Sequence, residues 1–225
     1  MVIPMVANAR MARVAAAQVA LPQDVADELW AVIIRAKIQN QARTLELLGT
    51  NGAEDLRSFA NQVAPGDKDN VEGQAARPYF QCLHPGLNRR CEDPFNSVLN
   101  YGYAIVRGAL ARALVTTGFV PALGIHHSWL NAFNLTDDLI EPFRPCVDLI
   151  VPSIVTASAR LSTQQRHALR DVLFMQVRMG KRKVTVSQAV EEVADSLARA
   201  TRDKGPRLLR LPTAIATEYD FDIRD

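Results

Sequence analysis

An all-α fold, a single helical bundle, is predicted by three features of the chain. Apolar residues recur at helical spacing, cap and stop signals bracket those stretches, and no long period-two alternation appears anywhere. The first strong element starts at Pro22 and Asp24 and carries Val25, Leu29, Val32 and Ala36 at helical intervals. It runs through RAKIQNQARTLELL until Gly49 and Asn51-Gly52 stop it. Asp93 followed by Pro94 forms an N-cap and first-turn pair; Leu99, Tyr103, Val106, Leu110 and Leu114 then make one apolar stripe that ends at Gly118. Thr163 opens a further helix expected to close at Gly180, and Thr185 with Gln188 has capping-box spacing ahead of Val190, Val193 and Leu197. The pattern predicts five to seven helices around one core, with loops at 49–53, 64–68, 85–93 and 118–134. Three parts follow: an N-terminal connecting segment over 1–23, the helical domain over 24–204, and a poorly periodic tail over 205–225.

Composition sets an outer frame. With 225 residues, 48% hydrophobic and 22% charged, the chain reads as an ordinary globular protein, long enough for a sizeable core. Its 26 basic and 24 acidic side chains leave a net charge of +2, which by itself names no polyanionic partner. The distribution is less even: from Val155 to Arg210, twelve Lys or Arg stand against five Asp or Glu, including Arg178, Lys181, Arg182 and Lys183. Alone, that run reads as a solvated helical face. The three cysteines are odd in number and without a CxxC pair, which argues against a disulfide framework and fits a reducing cytoplasm. Cys82, His84 and Cys91 match no common zinc spacing. No stretch approaches the roughly 18 to 20 apolar residues of a membrane span, so no membrane association is expected. The first acid is Asp24, and Arg10 and Arg13 lie among alanines, a pattern shared by organelle presequences and by a linker feeding a helix.

The polar residues are concentrated in HHSWLNAFNLTDDLIEPFRP, residues 126–145. If Thr136 caps a helix, Asp138 and Glu141 lie three apart on one face and repel unless a positive group sits between them. A divalent cation would meet that need; so would a helix N-terminus, whose dipole favours acids in its first turn. Pro142 and Pro145 would bend any helix beside these carboxylates. Glu72 stands three residues after Asp69, the spacing of a cap and its N3 partner.

The runs VEGQAARPYF, DPFNSVLNYGYAIVRGAL and PALGIHHSWLNAFNLTDDLIEPFRPCVDLIV closely resemble the C-terminal helical domain of the CRISPR-associated adaptation integrase, Cas-one, of type II systems and most nearly subtype II-C, over about residues 4 to 200. The resemblance implies a polar metal-binding groove in which Glu72, His127 and Glu141 converge on one Mg²⁺ or Mn²⁺. His127 is preferred to His126 because it stands fourth counted from Gly124, and Asp138 matches a neighbouring acid. Asn96, Asn100 and Tyr101 match a polar helix face beneath the site, and Arg144 the arginine that follows the family's acid. The implied activity is a metal-dependent DNA endonuclease and integrase that inserts captured DNA as new spacers by transesterification, with a DNA 3′ hydroxyl as nucleophile. Implied partners are double-stranded DNA, the adaptor Cas-two and a second copy of the chain, in a prokaryotic cytoplasm. In that setting Arg178, Lys181, Arg182 and Lys183 become expected phosphate contacts. The family's helical domain normally follows a small β-rich domain involved in dimer formation, and residues 1–14 match the connection between the two; a presequence is then not needed. The alternative is a non-catalytic DNA-binding or assembly subunit.

Overall fold

The computed structural model describes residues 9–216 apart from 90, 129, 130 and 159. Its helices are α1 (Ala9–Val19), α2 (Gln23–Leu47), α3 (Ala53–Gln62), α4 (Val71–Leu83), α5 (Pro94–Thr117), α6 (Asn134–Leu139), α7 (Arg144–Asp148), α8 (Val151–Ile154), α9 (Thr163–Arg170) and α10 (Val186–Arg202). Seven of these run eight residues or longer, the upper end of the expected range. The chain is mainly helical, and one continuous apolar core draws on nearly every element.

α5 forms as its signals dictate. Asp93 accepts from Phe95 N at 2.7 Å, Pro94 occupies the first turn, and Gly118 takes the left-handed C-cap conformation at φ 111. The stripe Leu99, Tyr103, Val106, Leu110 and Leu114 is buried throughout. Gly102 lets this helix approach α7 closely, because a Cβ there would lie 2.4 Å from Val147 Cγ1. α10 begins with the expected capping box of Thr185 and Gln188.

α2 departs from the expected stripe. Val25, Val32 and Ala36 are only half-buried, while Leu29, Ile33, Ile34, Ile38 and Leu45 fill the core. α2 is packed on several sides, so the buried surface wraps around it and takes in Lys37, Asn40, Gln41 and Thr44 as well. Those polar residues serve the broken segment opposite. Pro142 and Pro145 interrupt the chain as expected, leaving α6, a 3₁₀ turn over Glu141–Phe143 and α7 in succession. The carbonyls at the breaks are met from α2: Asn40 Nδ2 donates to Pro142 O at 2.8 Å, and Thr44 Oγ1 donates to Pro145 O at 3.0 Å.

One expectation is corrected, and two segments gain structure that the sequence did not specify. The helix opening at Thr163 stops at Arg170, passes through a 3₁₀ turn over Asp171–Phe174, and gives way to a hairpin of β1 (Gln176–Met179) and β2 (Arg182–Thr185). Gly180, at φ 61, is the first residue of the hairpin's two-residue turn rather than a helix terminus. Two strands of four residues are too short for their alternation to be told from a helical period. In the tail, Thr213–Ala214 forms β3, which pairs with β1 to give a sheet ordered β2-β1-β3. Residues 9–19 of the expected connecting segment form a helix: Gln18 Nε2 donates to Leu123 O at 2.7 Å, and Arg10 pairs with Asp195 of α10. Among the described residues no helix is long and apolar enough to cross a membrane.

Candidate functional site

Glu72 lies in the first turn of α4, but it is not part of a cap. Asn70 caps that helix, accepting from Gly73 N at 3.1 Å, and Asp67 accepts from Val71 N and Glu72 N at 2.9 and 3.0 Å. The Asp69–Glu72 capping pair is therefore replaced by Asn70 and Asp67, and the Glu72 carboxylate faces α2 instead. There Lys37 Nζ stands 2.5 Å from Glu72 Oε1 and 2.5 Å from Glu141 Oε2. Two acids that are distant in sequence thus meet around a single ammonium. The contact to Glu141 Oε2 is one of charge, since that oxygen has no well-angled hydrogen bond. Arg144 Nε donates to the other oxygen, Glu141 Oε1, at 2.8 Å, and its guanidinium lies 4.7 Å from the Tyr103 ring centroid.

Burial alone would neutralise such groups. For Lys37 it pulls the pKa down, but Glu141 and then Glu72 outweigh it and the net shift is upward. For Glu141 it pushes the pKa up, but Lys37 and Arg144 bring it below the ordinary carboxylate value. Both groups therefore stay charged.

Asp138 and Glu141 turn to different partners, rather than lying three apart on one face around a shared cation. Asp138 is fully buried and turned to the 125–127 loop, accepting from Ile125 N, His126 N and His127 N at 2.5, 3.1 and 3.1 Å. Its Oδ1 also lies 2.6 Å from His127 Nδ1, a bond that raises the imidazole pKa and fixes the ring. Gly124 makes this loop possible: a Cβ would lie 2.2 Å from His127 O and 2.9 Å from Asp138 Oδ2. His126 points elsewhere, stacked on Trp30 with centroids 4.3 Å apart.

Two cavities of about 980 and 460 Å³ meet at Tyr103, Glu141 and Arg144, which line both. Glu72 and Lys37 line the larger and His127 the smaller, so Glu141 is the residue common to the three expected ligands. Among the described residues no three His, Cys, Asp or Glu side chains are gathered tightly enough to enclose an ion. The donor chemistry nevertheless suits a hard cation: two carboxylates already arranged around one positive charge, beside an imidazole whose Nδ1 is held by an acid and whose second nitrogen is Nε2.

The remaining expected residues divide. Asn100 lines the smaller cavity and accepts from Arg89 Nη2 at 3.0 Å. Asn96 is buried and donates to Asn88 O and Cys91 O at 2.8 and 2.9 Å, so it braces the loop before α5. Tyr101 is 37% exposed and lines neither cavity; the tyrosine that faces the groove is Tyr103. His84 stacks on Phe95 at 4.5 Å. Arg178, Lys181, Arg182 and Lys183 are all exposed, on the β1–β2 hairpin rather than on a helix. Arg178 sits directly opposite Lys183, and Arg182 Nη2 reaches Glu192 Oε1 at 2.7 Å.

The groove also holds residues that the sequence reading missed. Lys37 and Gln41 are hidden in the amphipathic pattern of α2, although a run of Lys, Asn, Gln and Thr among isoleucines is the signal of a buried polar face. Asp148 is clasped by Tyr79 Oη at 2.6 Å and by Tyr103 Oη. Burial raises its pKa to about 6 despite these bonds, and burial together with Asp148 holds both phenols well above the usual tyrosine value.

The chain matches the family described as CRISPR associated protein Cas1 over residues 1–179. It is 34% identical over 220 residues to the CRISPR-associated endonuclease Cas1 of Neisseria meningitidis serogroup C (strain 8013), a match covering 95% of this chain and 72% of that protein. A CRISPR-associated endonuclease Cas1 of Pyrobaculum aerophilum is 34% identical over 145 residues, 55% of this chain and 48% of the relative. Among solved structures, a casposase bound to integration product superposes with a TM-score of 0.73 at 21% identity, over 91% of this chain and 72% of that one. A Cas6-RT-Cas1--Cas2 complex superposes with a TM-score of 0.69 at 20% identity, over 90% of this chain and 27% of that one. Both structural likenesses are likenesses of fold.

Proposed function

The chain belongs to the Cas1 family, and from that premise we propose that it is a divalent-metal-dependent DNA endonuclease and integrase of CRISPR adaptation, joining captured DNA to a repeat by transesterification. One observation carries the reading: Glu72 and Glu141, from separate elements, converge on a single positive charge in an open groove. In this reading Glu72, Glu141 and His127 would hold Mg²⁺ or Mn²⁺, which would supply Lewis-acid polarisation of a phosphodiester oxygen. Two carboxylates and an imidazole suit Mn²⁺ well and Mg²⁺ acceptably.

The chain's own groups position the substrate. Arg144, anchored through Nε and packed on Tyr103, keeps its terminal nitrogens for a phosphate. Asp138 holds the His127 ring in one orientation. A DNA 3′ hydroxyl serves as nucleophile in strand transfer, so no serine, cysteine or histidine nucleophile is required. The exposed hairpin cations Arg178, Lys181, Arg182 and Lys183 are proposed to meet the phosphates of a duplex. The casposase of like fold is bound to an integration product and the complex of like fold contains Cas2, which supports DNA and a Cas2-type adaptor as partners; a second copy of the chain is proposed with them.

Cleavage of branched or single-stranded DNA in Mn²⁺ tests the site. The wild-type chain should cut and Glu72→Gln should not; equal activity in both would remove the assignment. The non-catalytic alternative draws on the hairpin, which needs no metal: DNA binding without any Mn²⁺-dependent cleavage would favour it.

A further inference from the structure

Lys37 occupies a place that burial makes costly for an ammonium. Its side chain is only 10% exposed, and it is tolerated because two carboxylates flank it. Those carboxylates arrive from α4 and from the 3₁₀ turn at Glu141, and without a cation between them they would repel. Lys37, Arg144, Glu72 and Glu141 together sum to zero charge. A divalent ion added while the ammonium stays would leave two positive charges in surplus. If the ammonium draws back from between the carboxylates, they are free to take the ion and the positive charge is no longer crowded at one point.

A second feature says where the ammonium goes. Gln41 follows Lys37 by one helical turn, lines the same groove, and is 2% exposed, yet its Oε1 has no hydrogen-bond partner. A buried carbonyl oxygen left unpaired is costly, and an ammonium is a donor with no acceptor function of its own. We propose that Lys37 is a resident occupant of the divalent-cation position: it holds Glu72 and Glu141 together in the metal-free protein and withdraws to Gln41 Oε1 when the ion binds. The inference rests on the metal-binding reading above. It adds a displacement step in which the protein exchanges its own cation for the incoming one, keeping the acids gathered but loadable.

The test is calorimetric titration of Mn²⁺ into the full chain and its variants, together with chemical labelling of the wild type. Lys37→Met should bind Mn²⁺ at least about tenfold more tightly, because nothing has to be displaced. Gln41→Leu should bind several-fold more weakly, because the withdrawn ammonium loses its acceptor, and Glu72→Gln should lose binding. In the wild type, the rate of acylation of the Lys37 amine, followed by peptide mass spectrometry, should change when Mn²⁺ is added, because the amine moves from between the carboxylates to the buried Gln41 Oε1. This second measurement does not depend on Lys37→Met folding. Labelling that Mn²⁺ leaves unchanged at saturation, or Lys37→Met binding no more tightly than wild type, overturns the displacement while leaving the metal site intact. Mn²⁺ binding that survives Glu72→Gln, or no binding by either wild type or Lys37→Met, overturns the metal reading and the displacement together.

Discussion

The groove and the hairpin are both rich in charge, but they handle it in opposite ways. In the groove the buried charges are answered at close range: Lys37 by two glutamates and Glu141 by Lys37 and Arg144, while Asp138 holds the His127 ring. On the hairpin the charges stand out in solvent, with Arg178 opposite Lys183 across the two strands and Arg182 reaching Glu192. On the proposed reading, the groove's fixed carboxylates would receive a compact ion. The hairpin offers diffuse positive charge suited to a polyanion read through its backbone. The proposed function would use the first for coordination and the second for counterion replacement.

The largest effect expected from breaking this contrast lies in the groove. Glu141→Gln removes the negative charge that faces both Lys37 and Arg144 and should cost about 3–5 kcal/mol of stability, the usual penalty for removing one partner of a buried pair. Mn²⁺-dependent DNA cleavage should fall at least about a hundredfold, since even outer-layer partners of metal ligands cost ten- to a hundredfold. Denaturant unfolding and a cleavage assay read the two. An equally stable, equally active variant would mean that the groove charges are as independent as those of the hairpin.

Asp148 sharpens the contrast by pH. Its folded pKa, about 6, lies above its ordinary value of 3.8, so between those limits the unfolded chain gives up a proton that the folded chain keeps. Stability from this residue is therefore full below about pH 4 and is lost as pH rises through 6, by about 3 kcal/mol at most. Asp148→Asn should lack that decline, which urea unfolding across the range would show. Glu141 runs the other way: its depressed pKa gives stability present above the ordinary carboxylate value and lost in acid.

Gly124→Ala comes next. A methyl placed 2.2 Å from His127 O must push the loop off Asp138, at a cost of about 1–3 kcal/mol, and should lower cleavage through a misplaced imidazole. Unchanged activity would show that His127 does not depend on this seat.

The smallest effect belongs to the hairpin. The double change Arg178→Ala, Lys183→Ala should leave the fold intact and flatten the slope of DNA affinity against salt by about one unit for each phosphate no longer neutralised. An unchanged slope would move the duplex elsewhere on the molecule.

Legibility followed the range of the interactions. α5 could be read whole, because its cap, stripe and stop all act within a few residues. The place of Glu72 and Glu141 in one groove came from a resemblance between ordered motifs, not from spacing; local reasoning set Glu72 in a cap and paired Asp138 with Glu141, whereas the cap falls to the neighbouring Asn70 and Asp67 and the acids turn to partners farther along the chain. Lys37 was missed because its acceptors come from α4 and the turn at Glu141, which no window on α2 contains. The hairpin was missed because its third strand lies in the tail, with Val177 paired to Ala214.

That third strand has one more implication. Asn40 spends its side-chain oxygen on Ala214 N, at 3.1 Å, and its nitrogen on both Pro212 O and Pro142 O. The sheet bearing the hairpin and the turn bearing Glu141 therefore hang from the same bracket. A double helix leaning on the outer strands would be leaning, through one amide, on the acid at the centre of the molecule.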